Sequence, residues 1–358
     1  MPAFGVYVHI PFCTSRCDYC AFATWTDRAH LKGDYVRACA TEITSAALPP
    51  ASTVFFGGGT PSLLEPAELA VVLEAIERVP GAEVSVECNP ESVDPAKLRG
   101  YRAAGVNRLS FGVQSLQTPV LAALGRHHSA AAASAAVAAA ADAGFAESYS
   151  VDLIYGAVGE RLEDWRDTLQ AVLRLDPVPM HISAYALTVE PGTPLAGEPA
   201  RYPDPDDQAD KYLLADELLG EAGFSWYEIS NWAKPGAECR HNQLYWDQGD
   251  YRGIGCAAHS HARLPHGGGR RWWNVRTPDR YINAVSTGED PTAADDVLDA
   301  AASAREAAVL GLRTSAGIPE HLLVPDPVIE HLVKRSGGRV RLTVQGRLLA
   351  DEVARRLI

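Results

Sequence analysis

The sequence predicts an α/β fold built on a parallel sheet. Over the first two thirds of the chain, six short β-rich runs alternate with longer helical patterns. Proline at the first helical position and glycine just past the end punctuate these helices, as in "DPAKLRGYRAAG" at 94–105. Strands that alternate with helices are typical of parallel sheets with crossover helices. Periodicity alone leaves open whether the sheet is doubly wound or a partial barrel. In both folds, ligands bind at the carboxyl ends of the strands.

Each predicted element follows from its composition and length. The predicted strands are "FGVYVHI" (4–10), "STVFFGG" (52–58), "AEVSVEC" (82–88), "NRLSFGVQ" (107–114), "SYSVDLIYG" (148–156) and "HISAYALTV" (181–189). The predicted helices cover 35–47, 66–79, 94–105, 130–143, 162–175 and 207–223. The alanine-rich run at 130–143 is predicted to be a surface helix and not a low-complexity segment, because alanine is the strongest helix former.

The pattern changes after about residue 230. Residues 233–294 are rich in glycine, histidine and tryptophan and show no clear period, so we expect an irregular, ligand-binding segment there. Residues 295–358 predict a small helical module in which a short hairpin precedes a helix, as in a winged helix. The expected organisation is therefore a main domain over 1–232, an irregular segment over 233–294 and a small α+β module over 295–358.

Composition excludes several classes of function. Lys and Arg number 32 against 45 Asp and Glu, a formal charge of −13, which argues against a broad nucleic-acid surface. No run approaches the roughly 20 apolar residues of a membrane span, and "MPAFGVYVHI" lacks the pattern of a secretory signal. Seven cysteines, an odd number, suggest reduced thiols. We expect a cytoplasmic protein that binds no nucleic acid and has no transmembrane segment.

Three of the cysteines follow the first strand: Cys13, Cys17 and Cys20. A closed zinc site uses four ligands, and a disulfide framework uses an even number of cysteines in a short chain. A [4Fe–4S] cluster is normally held by four thiolates, so three would leave one iron open to an exogenous ligand. The alternative is that these are ordinary buried cysteines.

The spacing Cys-x3-Cys-x2-Cys after the first strand, with "GGGTPS" (57–62) after the second, resembles the radical SAM superfamily. The resemblance implies a partial (β/α)6 barrel similar to a TIM barrel, a [4Fe–4S] cluster, and S-adenosylmethionine (SAM) chelated at the open iron. One electron from the cluster then cleaves the sulfonium to a deoxyadenosyl radical. Glycines at a strand end also leave the backbone approachable, which suits a site that grips an amino acid.

Further motifs extend the resemblance over nearly the whole chain. "YVHIPFC", "VECNPES", "NRLSFGVQS", "LGRHHS" and "VDLIYG" are typical of the group that contains oxygen-independent coproporphyrinogen III dehydrogenase and the HemW heme chaperones. The resemblance implies that the SAM pocket is lined by Tyr7, Gly58, Gly59, Thr60, Glu87, Gln114, Arg126, Asp152 and Ala186. The alternative for Glu87, Gln114 or Asp152 is a helix cap or a strand-end turn.

Two features favour the chaperone side of this group. Phe22 stands where the dehydrogenase has a fourth cysteine, and the first strand begins at about residue 4 with no preceding extension. A third feature, "HNQLYW" (241–246), matches a signature associated with heme binding in the chaperones. The resemblance implies that heme is bound by His241, Asn242, Tyr245 and Trp246.

An imidazole nitrogen of His241 would be the usual type of iron ligand. The alternative is an aromatic loop that satisfies its own core, with His241 as a buried hydrogen-bonding residue. His259 and His261 are alternative iron ligands, and Cys39, Cys88, Cys239 and Cys256 are interpreted as structural.

The sequence therefore predicts a heme chaperone that uses a [4Fe–4S] cluster and SAM and passes heme to apo-proteins, among them respiratory ones. The alternative function is oxidative decarboxylation of coproporphyrinogen III. The resemblance also implies a homodimer. Whether SAM is cleaved, and whether heme is covalently attached, the sequence leaves open.

Overall fold

The computed structural model of the chain describes residues 3–357. Six strands and seven helices alternate over the first part of this range. The strands are β1 (Phe4–Ile10), β2 (Ala51–Gly58), β3 (Arg78–Cys88), β4 (Arg108–Gln114), β5 (Tyr149–Tyr155) and β6 (His181–Ala186). The helices are α1 (Lys32–Ala46), α2 (Pro66–Glu74), α3 (Pro95–Ala104), α4 (Thr118–Ala123), α5 (Ala130–Asp142), α6 (Leu162–Val172) and α7 (Pro205–Glu221).

These six strands pair in parallel in chain order, from β1 beside β2 to β5 beside β6. The predicted α/β fold with a parallel sheet is thus confirmed. The register sets the ends of neighbouring strands level, with Ile10 opposite Gly58. Segments that follow these strands therefore meet at one end of the sheet.

The segment predicted to be irregular, 233–294, is instead mostly regular, and this expectation was wrong. After β7 (Ser225–Glu228) and β8 (Asn231–Ala233), it contains α8 (Arg240–Trp246), β9 (Asp250–Ile254), β10 (His259–Arg263), β11 (Gly269–Asn274), α9 (Pro278–Thr287) and β12 (Thr292–Leu298). β9 pairs in parallel with the free side of β1, and β10 to β12 continue as antiparallel strands. The result is a sheet with the order β12-β11-β10-β9-β1-β2-β3-β4-β5-β6-β8-β7.

Element boundaries also differ from prediction around residue 78. The helix predicted over 66–79 ends at Glu74, and β3 begins at Arg78 instead of residue 82. Pro80 explains the difference, because proline disfavours the helical conformation in the residue before it. The short helix α4 was not predicted.

The C-terminal residues form a small second core. They contain α10 (Ala300–Leu312), β13 (Ile318–Pro319), β14 (Val333–Ser336), β15 (Arg339–Leu342), α11 (Val344–Leu348) and α12 (Ala350–Ala354). The three strands make a separate sheet, and their apolar side chains form a core distinct from that of the main sheet. The hairpin of β14 and β15 lies slightly earlier than predicted, and the helix after it is divided into α11 and α12. The likeness to a winged helix remains a prediction.

Two ion pairs, each with one buried partner, attach this module to the rest of the chain. Arg313 donates twice to Glu228, whose side chain is almost fully buried, and Arg347 donates twice to Asp216. Among the helices of residues 3–357, none combines the length and the apolar character that crossing a membrane requires.

Candidate cofactor site

The cysteine segment lies at the carboxyl end of β1 and is held there by backbone hydrogen bonds. Trp25 N donates to Pro11 O (2.7 Å) and Cys13 N donates to Trp25 O (3.1 Å), so the segment closes on itself. His9 Nε2 donates to Ala23 O (2.9 Å) and ties the far side of the segment to β1. Cys13, Cys17 and Cys20 are free and half-buried. The sequence thus presents three reduced thiols on a fixed segment.

The cysteine segment borders a cavity of about 680 Å³ at the carboxyl ends of the parallel strands. This volume lies within the usual range of a small-molecule site, roughly 300–1,000 Å³. The structure brings together at its wall the three cysteines and, of the nine residues expected to bind SAM, all but one: Gly58, Gly59, Thr60, Glu87, Gln114, Arg126, Asp152 and Ala186.

The exception is Tyr7, which the structure does not bring to the cavity wall. Its hydroxyl lies 3.0 Å from His9 Nδ1, and its ring stacks on Phe55. Because His9 Nε2–H donates to Ala23 O, His9 Nδ1 accepts a hydrogen bond from Tyr7. The Tyr7 hydroxyl therefore supports His9, which in turn holds the cysteine segment.

Several residues of the cavity wall were not predicted from the sequence, among them Tyr19, Asn89, Ser110, His127 and Tyr185. Asn89 and His127 lie inside motifs that were recognised, two residues after Glu87 and next to Arg126. Their position beside a predicted residue at a strand end was an available signal. Tyr19 and Tyr185 offered the same signal, because they are next to Cys20 and Ala186.

The glycines of the GGGTP motif allow close contact between the end of β2 and the cysteine segment. Gly59 N donates to Ile10 O and Thr60 N donates to Phe12 O, each at 2.8 Å. A Cβ on Gly59 would lie 2.7 Å from Phe12 O and 3.0 Å from Cys13 Sγ. Gly58 has φ +112°, in the region that favours glycine. The glycines of this motif are thus required by the close packing of the end of β2 against the cysteine segment, as well as by any ligand.

Two carboxylates face the same cavity in a weakly solvated environment. Burial raises the pKa of Glu87 to about 8, with a further rise from Asp152 and an opposing hydrogen bond from Gly58 N. Burial also raises the pKa of Asp152, whose Oδ2 accepts a hydrogen bond from Ser110 Oγ (2.6 Å). Carboxylates of this kind can accept hydrogen bonds from hydroxyl groups such as those of a ribose.

Polar groups also contact the cysteine sulfurs. Thr60 Oγ1 lies 3.6 Å from Cys13 Sγ, and the Arg126 guanidinium lies 3.6 Å from Cys17 Sγ. Arg126 is fixed by Asn89 Oδ1 (2.8 Å) and Gly112 O (3.0 Å). Burial raises the pKa of Cys13 and of Cys20.

The donor set of this site fits a cluster better than a single ion. Within residues 3–357, no three His, Cys, Asp or Glu side chains come together closely enough to hold one metal ion. A cubane cluster takes one thiolate at each ligated iron, so thiols at separate points of a cavity wall suit it. The three thiols therefore fit a [4Fe–4S] group.

The HNQLYW motif forms α8, which lies at the opposite end of the sheet, over the amino-terminal ends of β1 to β3. A Cβ on Gly5 would lie 2.5 Å from Leu244 Cδ2. The Glu83 carboxylate accepts hydrogen bonds from the backbone N–H groups of Arg240 and His241 (3.3 and 3.1 Å). A carboxylate at a helix amino terminus satisfies unpaired N–H groups and complements the helix dipole.

His241 offers no free ring nitrogen in this arrangement. Its side chain is fully buried, with Nδ1 2.8 Å from Thr53 Oγ1 and Nε2 2.9 Å from the Tyr245 hydroxyl. Its ring stacks on Phe55, and burial lowers its pKa to about 3. The interpretation that His241 presents a nitrogen to iron is wrong for this conformation, because the two neighbouring hydroxyls occupy both nitrogens.

The other residues of the motif are only partly buried. Asn242, Tyr245 and Trp246 each keep some exposure. The Tyr245 ring packs edge-on against Tyr251, and the Arg313 guanidinium lies 5.3 Å from the centre of the Trp246 ring. The motif therefore joins the main sheet to the C-terminal module.

Comparisons with known proteins agree with this geometry. Residues 7–172 match the family model described as the radical SAM superfamily. The chain is 42% identical to the heme chaperone HemW of Mycobacterium tuberculosis, over 99% of this chain and 95% of that protein. It is 37% identical to HemW of Escherichia coli, over 79% of this chain and 76% of that protein. It is 38% identical to the mitochondrial radical S-adenosyl methionine domain-containing protein 1 of Mus musculus, over 97% of this chain and 82% of that protein.

Among solved structures, the fold resembles the coproporphyrinogen III oxidase HemN of Escherichia coli, described as a radical SAM enzyme. The TM-score is 0.83 with 23% identity, over 99% of this chain and 89% of that one. At this identity the likeness concerns the fold alone.

Proposed function

The chain belongs to the heme chaperone HemW family within the radical SAM superfamily, and on this premise we propose that it binds heme and transfers it to acceptor proteins, using a [4Fe–4S] cluster and SAM. The observation that carries the proposal is the single cavity at which three free thiols meet the glycine and carboxylate residues of the SAM motifs. The roles of these residues are part of the proposal.

In this proposal Cys13, Cys17 and Cys20 hold three irons of the cluster, and the fourth iron is left for SAM. When bound, the cluster supplies an electron to the sulfonium of SAM. Thr60 and Arg126, which approach two of the sulfurs, favour the charged thiolates by hydrogen bonding. His9 and Tyr7 hold the cysteine segment in place.

The carboxylates Glu87 and Asp152 are proposed to bind the hydroxyl groups of SAM, and Gly58 and Gly59 to leave backbone groups within reach of its methionine part. Gln114 and Ala186 complete the wall. Phe22, at the position of a fourth cysteine in the dehydrogenase, is 63% exposed and borders the same cavity. An apolar side chain there adds no ligand, which supports the chaperone side of the group.

The proposal includes heme as cargo, heme-accepting apo-proteins such as respiratory ones as partners, and a homodimer as the assembly. It also includes a cytoplasmic location, which the seven free cysteines support. Asn242, Tyr245 and Trp246 are proposed to contact heme, and His241 to position the Tyr245 hydroxyl that it bonds.

The test is to load the anaerobically reconstituted protein with hemin, add an apo-heme protein and follow the Soret spectrum of each component after separation. Stoichiometric hemin binding followed by transfer to the acceptor is expected. A protein that binds no hemin would contradict the proposal. In a parallel arm with reductant, SAM and coproporphyrinogen III, formation of protoporphyrinogen would show that the dehydrogenase alternative is correct.

A further inference from the structure

A second, smaller pocket lies beside α8, at the opposite end of the sheet from the cofactor cavity. Its volume is about 240 Å³, below the roughly 300–1,000 Å³ of a typical small-molecule site. Its wall combines the start of β4, the residues just before β5 and β6, and the loop 235–237 that leads into α8. Glu83, which holds the backbone of α8, also lines it. The pocket therefore has the size for one functional group of a ligand, and not for a whole cofactor.

Arg108 is the buried cation at the wall of this pocket, and the residue is only 9% exposed. One guanidinium nitrogen, Nη1, donates to Ala237 O (2.9 Å) and lies 3.9 Å from Glu83 Oε2. The other, Nη2, is buried and has no hydrogen-bond partner among residues 3–357. Buried polar groups are normally paired, and an unpaired charged donor is costly. This guanidinium therefore has capacity for one further acceptor.

The charges around Arg108 favour a negatively charged acceptor. The Glu83 carboxylate is shared between the guanidinium groups of Arg108 (3.9 Å) and Arg240 (3.8 Å), and it also accepts backbone N–H groups of α8. Burial and the charge of Arg108 lower the pKa of His181 well below its ordinary value, so this imidazole is neutral. The other acid of the wall, Glu147, is exposed, and water weakens its field. The buried carboxylate of the pocket is thus already used by two cations, and Arg108 can bind a second one.

A carboxylate is the acceptor that this pocket suits best. The planar fork of a guanidinium matches the two oxygens of a carboxylate, and the Ser148 hydroxyl at the same wall offers a further donor. Heme carries its carboxylates on propionate side chains, whereas its ring is flat and largely apolar. Aromatic side chains can hold the ring, but the propionates need a separate polar contact. Asn242, in the first turn of α8, lies next to the backbone that Glu83 holds, so a ring on α8 has the pocket at its edge.

We propose that the pocket at Arg108 binds a propionate carboxylate of the heme whose ring contacts α8. This inference rests on the proposed function and keeps Asn242, Tyr245 and Trp246 as the residues that contact the ring. It adds Arg108, which lies on β4 and outside the recognised motif, as the residue that binds the carboxylate and thereby fixes the orientation of the ring on α8.

The test compares hemin with hemin dimethyl ester, in which the carboxylates are blocked, on the anaerobically reconstituted full chain. Titrations followed at the Soret band give the dissociation constant of each. Wild type should bind hemin at least about tenfold more tightly than the ester, the size expected for a hydrogen bond between charged groups. Arg108→Gln should bind the ester as wild type does and should bind hemin no more tightly than the ester. The matched control Arg99→Gln, at an exposed position of α3, should behave as wild type.

The outcomes separate this inference from the proposed function. If wild type binds hemin and the ester equally, or if Arg108→Gln keeps the preference for hemin, the assignment of Arg108 is wrong and the carrier function stands. If a folded Arg108→Gln protein loses both ligands equally, Arg108 supports the structure around α8 and does not bind the carboxylate. If wild type binds neither ligand, the proposed function itself fails.

A second variant covers the case in which circular dichroism shows that Arg108→Gln does not fold. Ser148→Leu narrows the pocket from the side of β5 and leaves Arg108 in place. We expect it to weaken hemin binding and to leave binding of the ester unchanged. An unchanged affinity for hemin in this variant would show that no carboxylate enters the pocket.

Discussion

At the scale of the residue, Glu87 is a carboxylate whose charge is controlled by the fold. Its pKa rises from the ordinary value of 4.5 to about 8, mainly because burial disfavours the carboxylate. A raised pKa means that the folded state binds the proton more tightly than the unfolded state. The contribution of Glu87 protonation to the stability of the fold is therefore complete below about pH 4.5 and is lost as the pH rises towards 8.

We therefore expect Glu87→Gln to raise the thermal stability of the SAM-free protein, because the amide carries no charge and its oxygen still accepts the Gly58 N–H. The gain should be absent near pH 4.5, grow as the pH rises and reach at least about 1 kcal/mol at pH 8. Thermal denaturation of both proteins across this range measures it. A constant difference at all pH values would show that the carboxylate does not titrate there.

Gly59 gives a second test at the residue scale. Gly59→Ala places a Cβ within 2.7 Å of Phe12 O and 2.9 Å of Ile10 O, so the cysteine segment must move away from β2. We expect a clear loss of bound iron after reconstitution, measured by iron and sulfide analysis. The control is Gly220→Ala, where nothing lies within 4 Å of the added Cβ. Equal iron content in both variants would contradict the described contact.

At the scale of the element, α8 is positioned by a single carboxylate from β3. Glu83 accepts two backbone N–H groups of α8 and lies 3.9 Å from the Arg108 guanidinium. Glu83→Ala leaves these buried donors without a partner, which costs about 1–3 kcal/mol.

A lower melting temperature is therefore expected for Glu83→Ala, measured by thermal denaturation. The matched control is Glu77→Ala, at an exposed position just before β3. If the two variants have the same melting temperature, α8 is held by its apolar contacts and not by Glu83.

The elements that the sequence predicted best are those whose signals are local. The six parallel strands each coincide with a β-rich run, and all were predicted close to their observed bounds except the start of β3 and the end of β6, which was predicted at residue 189 and lies at Ala186. Strands β9 to β12 were missed because β9 pairs with β1, which is far away in the sequence, and because the segment rich in glycine, histidine and tryptophan shows no clear period. The packing of Tyr251 against Tyr245, for example, has no periodic signal.

At the scale of the whole molecule, the two recognised motifs lie at opposite ends of one sheet. The cysteine segment and cavity lie at the carboxyl ends, and α8 lies over the amino-terminal ends. The family resemblance identified both motifs, and eight of the nine residues that it implies for the SAM pocket line the cavity, whereas Tyr7 does not. The relation between the motifs, and the engagement of His241 by Thr53 and Tyr245, depend on tertiary packing, which the sequence does not encode locally.

The central claim is that three thiols hold a cluster with one iron open to SAM. The most direct measurement is electron paramagnetic resonance of the anaerobically reconstituted, reduced protein before and after SAM is added, with iron and sulfide counted. The account predicts about four irons per chain, a spectrum that changes on addition of SAM, loss of both in Cys13→Ser, and retention of both in Cys39→Ala. A protein that holds zinc or no metal, or a cluster whose spectrum SAM leaves unchanged, would contradict it.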